Sequence, residues 1–233
     1  MNKELRAGIL GAGLGSRLQS RAKAKPLAPI GGGTLLGLLV ARMKQAGLSP
    51  LYCALRDELL TAQDRASLPS ETNLHYCFVN TESSLHTLVE LIRGMGKAKG
   101  PALFSMADTV LKGEDLRAFV AFCHSLAEQE CAVLVTGFVD DEKPLWAHVA
   151  ASGYVEKFSS EPARYVTSGL YYLTPQAMEI AEEVLESGTH KMRNFLSALA
   201  GKSIPIKSFV VSKTIDVDHP SDLQKAAEFL QSD

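Results

Sequence analysis

Apolar residues recur along this chain with two periods. Short runs rich in β-branched and aromatic residues fall at residues 7–10, 51–55, 74–79, 102–106, 132–138, 149–151, 165–173 and 206–211. Elsewhere the spacing is helical. Leu85, Leu88, Val89 and Ile92 fall at i, i+3, i+4 and i+7, and the sets Leu116, Phe119, Val120, Cys123, Leu126 and Leu223, Ala226, Ala227, Leu230 follow the same rule. The first half alternates strand and helix, which predicts an α/β fold with a mostly parallel sheet covered on both faces. From about residue 147 to 173 short strands follow one another with little helix between, which predicts an antiparallel insertion at the sheet edge. No repeat, linker or low-complexity segment divides residues 1–233, so one domain is expected.

Ligand sites in such sheets lie beyond the carboxyl ends of the strands, so the residues after each apolar run carry the functional argument. Residues 7–10 lead into Gly11-Ala12-Gly13-Leu14-Gly15-Ser16-Arg17. Residues 74–79 lead into Asn80-Thr81-Glu82-Ser83-Ser84, and residues 102–106 into Ala107-Asp108-Thr109. Near the C-terminus stands Thr214-Ile215-Asp216-Val217-Asp218-His219-Pro220. These clusters are expected to converge on one rim.

Glycines let backbone N–H groups face a ligand with no Cβ in the way. Arg17, and Lys25 eight residues on, add charge suited to phosphate oxygens. The turn therefore reads as a triphosphate cradle. A dinucleotide fingerprint needs its third glycine at position 16, where Ser16 stands, and a helix where Pro26 and Pro29 stand. A phosphate loop ending in Gly-Lys-Ser/Thr is absent. A triphosphate brings a divalent cation, and Mg2+ takes one or two carboxylates. Asp108 is the first candidate, with Asp216 or Asp218 as the second. Pro220 marks a first helical turn, which favours Asp218 as its cap and Asp216 as the ligand. Asn80, Ser83 and Ser84 open a helix, where they either cap it or contact base and ribose.

Composition narrows the classes. A net charge of −2 argues against nucleic-acid binding. No apolar stretch is long enough for a membrane span, and the charged N-terminus lacks an export signal. Cys53, Cys77, Cys123 and Cys131 sit in apolar runs without paired metal spacing, as expected for free thiols in a reducing cytoplasm. The six histidines show no metal-ligand spacing, and no nucleophile–His–acid order stands out.

Taken in order, these motifs resemble the sugar-phosphate nucleotidyltransferase family. The glycine turn with Arg17, followed by Lys25-Pro26-Leu27-Ala28-Pro29-Ile30-Gly31-Gly32, is similar to its opening signature. Residues 35–39 and Gln45-Ala46-Gly47 match its next helix, residues 107–111 its metal-aspartate motif, residues 168–175 its acceptor strand and residues 215–223 its closing motif. The resemblance implies a Rossmann-like three-layer sandwich with a small antiparallel acceptor-side subdomain. It implies that Gly11, Ala12, Gly13, Gly15, Ser16 and Arg17 hold a nucleoside triphosphate, that Lys25 neutralises phosphate charge, and that Asp108 with Asp216 or Asp218 holds Mg2+. Asn80, Ser83 and Ser84 would face the nucleotide. Gly153, Lys157, Ser168 and Gly169 would face a phosphorylated small-molecule acceptor. The chain departs from the family at residue 161, where Glu161 fills the slot of a phosphate-binding lysine, so that contact is either missing or moved to Lys157 or Arg164. The alternatives are a molybdopterin- or phosphocholine-type transferase, an NAD(P)-binding oxidoreductase and an inactive nucleotide-binding module. The base, the acceptor and the oligomeric state are not legible.

Overall fold

The most apolar stretch near the N-terminus, Leu5–Gly11 (β1), buries all but one of its residues and forms the middle of the molecule in the computed structural model. Residues 4–18, 22–96 and 100–231 are described; residues 19–21 of the segment leading to Lys25 fall outside them, as does the side chain of Ser16. After β1 come 3-10 turns at Ser16–Leu18 and Lys25–Leu27, then β2 (Pro29–Ile30), β3 (Gly33–Thr34), α1 (Leu35–Gln45), β4 (Leu48–Arg56), α2 (Ala62–Ala66) and β5 (Leu74–Val79). The chain continues through α3 (Ser84–Gly94), β6 (Ala102–Met106), β7 (Thr109–Val110), α4 (Gly113–Ser125), β8 (Cys131–Thr136), β9 (Trp146–Val149), β10 (Val155–Ser159) and β11 (Tyr165–Leu173). It ends with α5 (Pro175–Glu186), α6 (Met192–Gly201), β12 (Ile206–Val211), β13 (Ile215–Asp216) and α7 (Pro220–Gln231).

The main sheet runs β5-β4-β1-β6-β11-β8-β12, and only β11 opposes the common direction. The β9–β10 hairpin adds to the N-terminal end of β11 through the Tyr165–Ala147 and Val166–Trp146 pairs. This is the antiparallel piece that the run of short strands predicted. The sheet's two faces follow the two-residue period of its strands. On β6, Phe104 joins Leu85, Leu88, Ile180 and Phe195 beneath α3, α5 and α6. Its neighbour Leu103 joins Leu36, Leu39, Met43 and Phe119 beneath α1 and α4. The result is the three-layer α/β sandwich.

Helix starts are set by short polar caps. The Thr34 hydroxyl accepts from Gly37 N at 3.0 Å, and Ser83 and Thr174 do the same for α3 and α5. Strands β1, β4 and β8 shift by one to three residues at their ends, and two strands depart further from the sequence expectation. The run at 149–151 is the end of β9 plus a turn, because Gly153 reverses the chain at φ +82°. β10 has no apolar run at all; it buries only Val155 and Phe158. Among the described residues no helix is long and apolar enough to cross a membrane, and all four cysteines are free thiols.

Phe104 is fully buried between the helices and the central strands. Phe104→Ala is expected to cost about 3–5 kcal/mol, read as a lower urea midpoint at unchanged slope. A loss below about 1 kcal/mol would contradict this picture of the core.

Candidate active site

Because β1, β4, β5 and β6 are parallel, the ends of β1 at Gly11, β5 at Val79 and β6 at Met106 share one edge of the sheet. The glycine turn lies there. Gly15 holds φ +54°, and a Cβ on it would lie 2.6 Å from Lys25 Cβ. A side chain at 15 would therefore push away the residue that passes beneath the turn. Lys25 is fixed by the 3-10 turn it begins, with Pro26 buried behind it. Arg56, at the end of β4, donates to Ala12 O at 3.2 Å and to Thr81 O at 2.7 Å, bracing the turn against the segment before α3. Nothing in the sequence pattern marked Arg56.

Below the turn three carboxylates meet. β7 and β13 pair antiparallel, setting Thr109 opposite Asp216, and Val217 N donates to Asp108 O at 3.0 Å. The Thr109 hydroxyl donates to Asp216 Oδ1 at 2.9 Å. The Lys25 ammonium donates to Asp108 Oδ2 at 2.5 Å and Asp218 Oδ1 at 2.6 Å. Arg17 lies 3.5 Å from Asp218 Oδ2 and 3.3 Å from His219 Nε2. Burial opposes the charge on Lys25, but Asp108 and Asp218 outweigh it and hold its pKa above the ordinary value. Burial likewise works against Asp218, and Lys25 and Arg17 hold it below the usual carboxylate range. Asp216 is pushed up to about 7, by burial and then by the neighbouring Asp108 charge. Solvent reaches Asp216 along the cleft, so the like charge is the durable part of that push.

The expected division of labour between Asp218 and Asp216 does not hold. Asp222 caps the start of α7: its Oδ2 accepts from Asp218 N at 3.2 Å and His219 N at 2.8 Å. The Asp218 carboxylate is turned toward Lys25 and Arg17 instead. Both aspartates therefore stand beside Asp108.

The other expected site residues are only partly brought together. A cleft lies over the carboxylates, bordered by Ser84, Asp108, Thr109, Thr167, Gly169, Tyr171, Lys191, Arg193, Asp216 and Asp218. Strand parity on β11 sends Thr167, Gly169 and Tyr171 to the cleft and buries Ser168, whose hydroxyl has no partner among the described residues. Ser168 is thus replaced by Thr167 as the cleft residue. Gly153 borders a different cavity, with His148, Glu156 and Arg164. Lys157 is exposed and paired with Glu161 at 2.7 Å, so the mismatch at 161 is answered on the surface and neither residue borders the cleft. Asn80 is exposed, its side chain accepting from Glu58 N at 3.1 Å. Ser83 caps α3, and the Ser84 hydroxyl accepts from Met192 N at 3.3 Å. Lys191 and Arg193, at the start of α6, are cleft cations that sequence reasoning missed. The Lys-Met-Arg triplet lies in a loop-to-helix junction with no glycine motif to mark it.

Gly169 sits at φ +69°, and a Cβ there runs into the Thr109 hydroxyl that holds Asp216. Gly169→Ala is expected to lower stability by about 1–3 kcal/mol through this backbone strain, seen as a lower melting temperature. An unchanged melting temperature would show that the β11 bend does not need glycine.

Comparison with known proteins gives the family and the fold. Residues 7–171 match the family model for the MobA-like NTP transferase domain. No curated protein sequence matches. Solved structures share the fold at low identity. A protein described as a glucose-1-phosphate thymidylyltransferase from Bacillus anthracis, in complex with sucrose, has a TM-score of 0.80 at 16% identity over 98% of this chain and 96% of its own. A UDP-glucose pyrophosphorylase complexed with UDP-glucose gives 0.77 at 15% identity, over 97% and 98%. The inositol-1-phosphate CTP transferase from T. maritima gives 0.76 at 14%, over 99% of both chains. The family match spans well over half the chain and includes the glycine turn, Lys25 and Asp108, and on that ground this protein belongs to the MobA-like NTP transferase domain family of nucleotidyltransferases.

Proposed function

We propose that the protein transfers a nucleoside monophosphate from a nucleoside triphosphate to a phosphorylated small molecule, with Mg2+, releasing pyrophosphate. The observation that carries this reading is the Lys25 ammonium held between Asp108 and Asp218 directly beneath the glycine turn. Two carboxylates from distant parts of the chain converge on one cation position, and their hard oxygen donors fit Mg2+. Asp108 with Asp216 or Asp218 would hold that ion, which supplies charge neutralisation to the phosphates when bound.

In the reaction an acceptor phosphate oxygen forms a bond to the α-phosphorus. The bond from that phosphorus to the bridging oxygen breaks, and pyrophosphate leaves with the electron pair. The acceptor is already an anion, so no protein base is needed. The chain's work is placement and charge. The backbone of Gly11, Ala12, Gly13, Gly15 and Ser16 binds triphosphate oxygens, and Lys25 and Arg17 spread the charge that develops on transfer. Ser84 lies on the nucleotide side of the cleft. Lys191 and Arg193, on the adjoining segment whose Met192 N meets Ser84 Oγ, are placed to hold the acceptor phosphate, the role the family gives to the lysine replaced by Glu161. Sugar 1-phosphates are the first acceptor class on the resemblance.

A second reading concerns the acceptor alone. The wall beside Arg17 and Asp218 is bordered by Asp140, Asp141, Glu142 and Asp222. Lys225 pairs with Asp140 and Asp222, Glu142 lies 3.8 Å from His219 Nε2 and Asp141 accepts from Lys143 N at 2.8 Å; these last two exposed carboxylates would answer a cationic group such as that of a phosphocholine-type acceptor.

A pyrophosphate-release screen of four triphosphates against sugar 1-phosphates and amino- or choline-type phosphates tests both readings. Release with some pair in Mg2+, abolished by a chelator, is expected. Silence with every pair would contradict transfer. Lys25→Ala is expected to lower kcat by about 10²–10³ while circular dichroism is unchanged. Arg193→Ala is expected to raise the acceptor KM about tenfold or more, the size of a lost charged hydrogen bond, with the triphosphate KM little changed. Equal effects on both substrates would remove Arg193 from the acceptor side.

A further inference from the structure

The fold joins two histidines that are far apart in sequence. His86 lies in the first turn of α3, and His190 lies in the segment between α5 and α6. Their rings stack at 5.1 Å between centroids with planes 3° apart. Glu82, just before the Ser83 cap, completes a group in which one ligand atom from each of the three residues lies within 4.8 Å of the others.

Hydrogen bonding prepares His86 as a ligand. Ser83 Oγ donates its single hydrogen to His190 O. Its contact with His86 Nδ1, at 2.9 Å, must then be an Nδ1–H donating to Ser83. Neutral His86 is left with its lone pair on Nε2, available to a metal ion, with the other nitrogen anchored by a hydroxyl. The two backbone segments are tied independently: Met192 N donates to Ser84 Oγ at 3.3 Å. Glu82 and His190 are exposed, so their side chains are free to close the last ångström or so to the roughly 3.3 Å donor spacing of a tetrahedral ion.

We propose that Glu82, His86 and His190 form a binding site for a borderline divalent metal ion, Zn2+ before others, that pins the start of α3 to the segment entering α6. The two imidazoles and one carboxylate suit Zn2+, Co2+ or Ni2+ and are poor donors for Mg2+. The site stands apart from the three aspartates. Its placement gives it a consequence for them, because Ser84 and Lys191, each next to or two residues from a ligand, border the cleft on adjoining segments that meet where Met192 N donates to Ser84 Oγ. The ion would fix the span between them.

The test is Zn2+ titration of the metal-stripped full-length protein in excess Mg2+, followed by calorimetry and by thermal melting. One tight equivalent per chain and a Zn2+-dependent rise in melting temperature are expected. His190→Ala and Glu82→Ala, on separate segments and both exposed, should each weaken binding at least about tenfold and abolish the Zn2+-dependent rise. Asp108→Asn should keep both. The proposal is overturned if the wild type takes up no equivalent, if both variants bind as the wild type does, or if Asp108→Asn removes the site. Because the readout is binding, it stands or falls separately from transferase activity.

Discussion

Three carboxylates cannot share one cleft without a counter-charge. Asp108 arrives at the end of β6, and Asp216 and Asp218 arrive about a hundred residues later on β13 and the segment after it. At a few ångströms, like charges repel by about 1 kcal/mol in water and by several times that where solvent is thin. Lys25 relieves this by bonding to Asp108 and Asp218 at once, and Arg17 adds a second positive group beside Asp218. The β7–β13 pair, the Thr109 hydrogen bond to Asp216 and the bend at Gly169 all serve to keep the three oxygen sets facing that one position. Under the proposed function, the glycine turn laid over the same lysine would couple a bound triphosphate to these carboxylates. The lysine that neutralises the carboxylates in the unliganded protein is the group that would meet phosphate charge when a divalent cation takes its place among them.

Much of this architecture was legible in the sequence because it rests on local rules. β5, β6, β11 and β12 begin and end where their apolar runs do, and of the residues their spacing selected α3 buries Leu85, Leu88 and Val89 and α4 buries Leu116, Phe119, Val120 and Cys123. Strand ends in a parallel sheet share an edge, so the glycine turn, Ser84 and Asp108 could be placed together without coordinates. The hairpin was read as present but misplaced by several residues, since β10 buries only two side chains and its pattern is indistinguishable from that of a loop. Helices α5 and α6 fall between the runs read at 165–173 and 206–211 with no motif of their own, apart from Pro175 behind its Thr174 cap.

The parts that sequence did not supply depend on tertiary geometry. Ser168 and Thr167 are equally good hydroxyl candidates on paper. The pleat of β11 decides between them, and a register shift between Thr167 and Tyr171 is needed to know which face each takes. The cleft cations Lys191 and Arg193 come from a segment whose position is set by α5 and α6, so their distance from Asp108 in sequence carried no information. The same holds for His86 and His190. Asp218 illustrates the converse case: an aspartate before Pro220 reads as a helix cap, yet Asp222 reaches back to do that work and frees Asp218 for Lys25.

The central claim is that Lys25 and a divalent cation use the same carboxylates. Mn2+ binding, followed by its paramagnetic resonance signal in the absence of nucleotide, tests it most directly. With the ammonium removed in Lys25→Met, the protein should bind Mn2+ more tightly than the wild type, and adding Asp108→Asn should cancel the gain. Equal Mn2+ affinity in the wild type and Lys25→Met, with both correctly folded, would contradict the account, because the lysine and the metal would then not compete for Asp108 and Asp218.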